Sequence, residues 1–131
     1  MSTIFTKINI GEIPCYKIYE DEHTFAFLAK DQVVLGHTLI VPKVEVDYFV
    51  DVPEPYFSAV FSVSKEVAKA IQKATECKRV GTIIAGFDVP HFHYHLIPTY
   101  STADLDFGKA KEYDQETMEG IQKRIVKFFD N

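Results

Sequence analysis

The chain is poor in cysteine. Cys15 and Cys77 lie far apart and form neither a Cys-x-x-Cys pair nor a dense framework, which argues against disulfides and fits a reducing compartment in which both stay as thiols. Long hydrophobic runs are missing too. No window approaches the roughly 20 apolar residues of a membrane span, and the opening residues Met1 to Lys7 lack a long apolar core, so a cytosolic protein with no membrane partner is expected. Positive charge is scarce: 14 Lys and Arg face 19 Asp and Glu, for a net charge of −5. That balance leaves no basic stripe for a nucleic-acid polymer, while a local pocket can still hold a small anion. Internal repeats, low-complexity tracts and linkers are absent as well. A chain of 131 residues that is 47% hydrophobic and 25% charged buries most of its apolar surface unaided, and one domain over residues 1–131 is expected.

Periodicity supplies the elements. Residues 4–13, broken by Gly11 and followed by Pro14, read as an extended or turn-like lead-in anchored by Phe5 and Ile8. Residues 15–19 and 24–29 alternate on either side of the polar turn Glu20-Asp21-Glu22-His23, the pattern of a hairpin. A connection over 31–36 leads to a short apolar strand, 38–41, stopped by Pro42. Apolar positions then recur at steps of three and four, predicting one amphipathic helix over about 55–77. Residues 80–85 are β-branched and apolar; they are expected to pair with the stretch that follows through a short Phe87-Asp88-Val89-Pro90 connection. Residues 101–113 have no clean period and read as a loop, after which Asp114 is a candidate N-cap for a last helix carrying Met118, Ile121, Ile125, Phe128 and Phe129 on one face. The order predicts an α+β fold: an antiparallel five-stranded sheet with one long helix packed on it, helices on one side, and an additional C-terminal helix.

Three of the five histidines fall at alternate positions in His91-Phe92-His93-Tyr94-His95. On a strand, alternation places the imidazoles on one face and Phe92, Tyr94 and Leu96 on the other. His23, in an acidic turn, is best read as a surface residue. Three in alternation suit either metal binding or nucleophilic catalysis. A single ion held by all three is disfavoured, because Cα atoms four residues apart on a strand are about 13 Å apart, whereas zinc ligands sit about 2 Å from the metal. Two of them remain competent to hold one. Catalysis is the other reading: a neutral imidazole attacks with no proton to lose, and its neighbours can neutralise an anion.

The stretch HFHYHLIP resembles the His-x-His-x-His-x-x motif of the histidine triad, or HIT, family of nucleotide hydrolases and transferases. Gly36-His37-Thr38-Leu39-Ile40-Val41-Pro42-Lys43 is similar to the family's Gly-His-x-Leu-(apolar)-(apolar)-Pro-Lys strand, and Ile4-Phe5 with Gly11-Glu12-Ile13-Pro14 to its N-terminal segment. The resemblance covers about residues 4–100. It implies a HIT-like fold, a homodimer, and attack by His93 on the α-phosphorus of a nucleoside phosphoramidate or dinucleoside polyphosphate through a nucleotidyl-histidine, with no redox cofactor. On the same footing His91 orients His93, His95 and His37 contact the phosphate oxygens, and Phe5, Ile8 and Phe25 line a purine slot.

Departures from the family pattern are equally specific. Where many members carry Gly-Gln-Ser or Gly-Gln-Thr before the triad, this chain has Gly86-Phe87-Asp88; where an Asp often holds the ribose hydroxyls, it has Ala29, with Asp31 two residues on. Asp88 near a phosphate repels it unless it turns away or holds an amine-bearing leaving group. In one branch of the family Cys-x-x-Cys near the N-terminus helps to hold zinc; the matching residues here are Thr3 and Thr6, and no metal is expected. The missing polar groups leave a nucleotide-binding module with little catalysis as an alternative.

Overall fold

In the computed structural model, which describes residues 2–129, both hairpin segments and the short apolar strand build one side of a sheet. They are β1 (Lys17–Glu20), β2 (Thr24–Leu28) and β3 (Thr38–Pro42); β4 (Arg79–Ile83) and β5 (Tyr94–Thr99) complete it in the order β1-β2-β3-β5-β4. All neighbours are antiparallel. The expected α+β architecture is therefore present, with helices α1 (Ile4–Asn9), α2 (Tyr56–Thr75) and α3 (Gln115–Phe129).

Alternation along each strand divides the apolar side chains between two faces. Ala26, Leu28, Ile40 and Leu96 face α2 and α3, which bury Val60, Val67, Ile71 and Ala74, and Met118, Ile121 and Ile125, against them. Each fully buried Ile or Leu contributes about 1.5–3 kcal/mol relative to exposure. Asp114 starts α3 as expected, its carboxylate accepting the Thr117 amide at 2.8 Å. Phe25, Phe27, Ala29, Leu39 and Val41 form a second cluster on the opposite face.

That second face corrects the expected lead-in. Residues 4–9 are helical, because Thr3 caps the Thr6 amide through its hydroxyl and the turn ends at Gly11 with φ +86°. A single turn and a half leaves little periodicity to read. Its Phe5 packs edge-on to Phe27, with ring centroids 5.6 Å apart. The helices consequently flank both sides of the sheet. The β4–β5 connection is also longer than expected, spanning residues 84–93, and β5 begins only at Tyr94. His91 and His93 precede the ladder, yet their backbone keeps the two-residue alternation: Phe92 joins the α2 side while His93 meets Phe5 on the other.

Gly36, just before His37, has φ +110°, and a Cβ there would lie 3.0 Å from Pro98 Cγ and 3.1 Å from Thr75 Cγ2. Gly36→Ala is expected to lower stability by about 1–3 kcal/mol, read from urea denaturation; an unchanged midpoint would contradict this account.

Candidate active site

Three elements bring four histidines together. His37 immediately precedes β3, His95 lies on β5 opposite Leu39, and His91 and His93 belong to the extended approach to β5. All four are at most 9% exposed. Their hydrogen bonds specify which nitrogen carries each proton, since a carbonyl can only accept and an amide only donate.

His93 Nδ1 donates to the His91 carbonyl at 2.8 Å. Its lone pair is therefore on Nε2, which makes no hydrogen bond among the described residues. His91 orients His93 through this backbone oxygen; its own ring is turned elsewhere. His91 Nε2 donates to the Pro42 carbonyl at 2.8 Å, and Nδ1 accepts the Thr3 hydroxyl at 2.7 Å. Glu45 accepts from the Thr3 amide and from the Thr6 hydroxyl, joining α1 to the segment after β3.

A second relay runs through the other pair. The Val33 amide donates to His37 Nδ1 at 3.2 Å, so His37 Nε2 donates to His95 Nδ1 at 2.9 Å, and His95 presents an Nε2–H. Both His37 nitrogens are engaged within the protein, Nδ1 with the Val33 amide and Nε2 with His95. Gln32, fully buried, holds this arrangement by donating to the Ala29 and His37 carbonyls and accepting the Gly36 amide. It was not singled out in the sequence, because a polar residue in a connection has no periodic signature.

Burial holds all four imidazoles below their ordinary 6.5. His95 is pushed down to about 3 by burial, then by His37 and His93; His37 falls to about 4 through burial and His93, against the pull of the Asp31 carbonyl. For His93 burial is opposed by the His91 carbonyl and by Asp88 and Asp47. At neutral pH the cluster is uncharged.

His93, His95 and His37 line a cavity of about 610 Å³, within the ~300–1,000 Å³ of small-ligand sites. Of the other expected binding residues, Phe5, Ile8, Ala29 and Asp88 line it, as does Asp31. Phe25 does not: it stacks behind Phe27, 5.5 Å between centroids, and Phe27 forms the wall. Phe87 is 96% exposed and points away. Phe107, from the segment after β5, lines the cavity 4.9 Å from the His95 ring, a contribution with no local sequence signal. Among the described residues no three His, Cys, Asp or Glu side chains converge on a metal position, and no helix is long and apolar enough to cross a membrane.

A family model described as HIT domain matches residues 10–102. Protein hit of Bacillus subtilis is 36% identical, the alignment covering 95% of this chain and 92% of that one. The adenosine 5'-monophosphoramidase of Saccharomyces cerevisiae is 35% identical over 94% of this chain and 80% of its own length. Among solved structures, a hypothetical histidine triad nucleotide-binding protein from Sulfolobus tokodaii superposes with a TM-score of 0.86 at 31% identity, covering 97% of this chain and 91% of that chain.

The depressed values of His37 and His95 imply acid sensitivity. A buried neutral histidine whose folded value lies below its unfolded 6.5 supports folding fully above pH 6.5, and that support is lost as pH falls toward the folded values. Between pH 7 and 4.5 each should cost on the order of 2 kcal/mol. Chemical denaturation of the native chain and of a His37→Asn/His95→Asn variant at both pH values should show a smaller loss in the variant; equal losses would exclude this origin.

Proposed function

The chain belongs to the HIT family, and on that premise we propose that it is a nucleotide-binding hydrolase or transferase that attacks the α-phosphorus of a nucleoside phosphoramidate or dinucleoside polyphosphate through His93. One observation carries the reading: His93 keeps its proton on Nδ1 against the His91 carbonyl, leaving the Nε2 lone pair free at the cavity. A nucleophile needs that state, and burial provides it by keeping the ring neutral.

For a phosphoramidate the steps balance as follows. Nε2 of His93 forms a bond to phosphorus as the phosphorus–nitrogen bond breaks, its electron pair passing to the leaving nitrogen. A water at the cavity mouth protonates that nitrogen, and the hydroxide produced then attacks phosphorus, breaking the bond to Nε2 and releasing the nucleoside monophosphate. The Nε2–H of His95 hydrogen-bonds a phosphoryl oxygen throughout, with His37 fixing its tautomer. Phe5, Ile8 and Phe27 supply an apolar wall for the base. Asp31 is the carboxylate available to ribose hydroxyls in place of Ala29. A homodimer in the cytosol belongs to the same proposal, on the family resemblance.

Turnover of adenosine and guanosine phosphoramidates should leave a nucleotidyl mass on the native protein, and His93→Ala should lose it together with at least about 10³-fold of kcat, the scale of a lost activated nucleophile. Wild-type turnover by His93→Ala would overturn the mechanism. The lowered value of His93 adds a second expectation: kcat/KM should hold steady as pH falls to 6.5 and decline only below it. The absence of a carboxylate at Ala29 favours one rival, a binding module with little catalysis. Tight calorimetric binding of nucleoside monophosphates without turnover across the substrate panel would favour that rival.

A further inference from the structure

Charge is unevenly distributed around the cavity. Three carboxylates line it, Asp31, Asp88 and Glu112, against one cation, Lys30. Lys30 pairs with Glu112 at 3.8 Å, and both side chains reach out into solvent. Neither Asp88 nor Asp47 has a hydrogen bond or ion pair among the described residues. Asp88 lies five positions before His93 and shares the cavity with it; its charge and that of Asp47 both reach the His93 ring. The histidines are neutral and add nothing to offset them.

A site that attacks the phosphorus of an anionic phosphoryl group ordinarily needs positive charge, so a carboxylate lining the cavity and a second whose charge reaches the nucleophile oppose an anionic ligand. They cease to oppose it when the departing group is itself positive. Resting on the function proposed above, we infer that this cavity selects leaving groups bearing a cationic amine over anionic ones, with Asp88 as the residue that reads the charge. A polyphosphate leaving group meets repulsion from Asp88 and finds, among the described residues lining the cavity, only Lys30 as a cation, already facing Glu112. An amine-terminated leaving group can place its ammonium against Asp88 while the phosphoryl oxygen takes the His95 Nε2–H. Phe87 is turned outward at 96% exposure, which leaves Asp88 and Val89 as the loop's contributions to the wall.

The test uses three adenosine phosphoramidates with leaving groups of matched length: 1,4-diaminobutane, n-butylamine and 4-aminobutyrate. Diadenosine tetraphosphate is the polyanionic comparison. Ratios of kcat/KM are read, since they cancel the amount of active enzyme. In the native protein the diamine derivative should exceed the aminobutyrate derivative by about tenfold or more, with butylamine between them. Raising ionic strength should compress the spread. Asp88→Asn should reduce the ratio by on the order of fivefold, as expected for one charge a few ångströms away, and Asp88→Lys should invert the order. A flat native series, or a ratio indifferent to both substitutions, overturns the inference while butylamine turnover leaves the proposed function standing. Turnover of diadenosine tetraphosphate but of no phosphoramidate overturns the inference alone; failure to turn over any of the four compounds overturns the proposed function and the inference with it.

Discussion

A nucleophilic imidazole has to be neutral and has to hold its lone pair on the side of the reacting atom. Burial secures the first condition, and the hydrogen bond from His93 Nδ1 to the His91 carbonyl secures the second. The contacts of His91 support that bond. The carbonyl is held in position because the His91 ring is clamped between the Pro42 carbonyl and the Thr3 hydroxyl, and Thr3 is held by the cap of α1 and by Glu45. An element six residues long thus fixes the direction of a lone pair contributed 90 positions later by His93.

The strands, the long helix and the capped last helix were legible because each has a repeating physical signal, two-residue alternation or a three-and-four step, over enough residues to register. Pocket residues whose side chains alternate with core positions, such as His93 and His95, were legible for the same reason. What escaped lacked a period. Helix α1 is too short, and its stability comes from the Thr3 cap and from Phe5 packing on Phe27. Gln32 acts through three side-chain hydrogen bonds inside a turn, which no hydrophobic pattern reports. Phe25 and Phe27 share one face of β2 and only the fold distinguishes wall from backing. The contacts of His37 with the Val33 amide and with His95 join residues that no local pattern links.

Thr3 and Thr6 illustrate how a family position can keep its mechanical task with different chemistry. Where one branch of the family uses thiolates, this chain uses hydroxyls, a carboxylate and an imidazole nitrogen to fasten α1 beside the triad. Charge-assisted bonds to Glu45 are sound fasteners.

Most of the segment after β5 lies beyond residues 10–102 matched by the family model, yet it is stitched to the turn before His37: Gln32 and Lys111 exchange two backbone hydrogen bonds, at 2.9 and 3.1 Å, and Phe107 leans on His95. A stretch of chain with no histidine of its own thus closes part of the wall around the imidazoles, so the shape of the cavity depends on residues such as Phe107 and Ala110 that take no part in the hydrogen bonds fixing the rings.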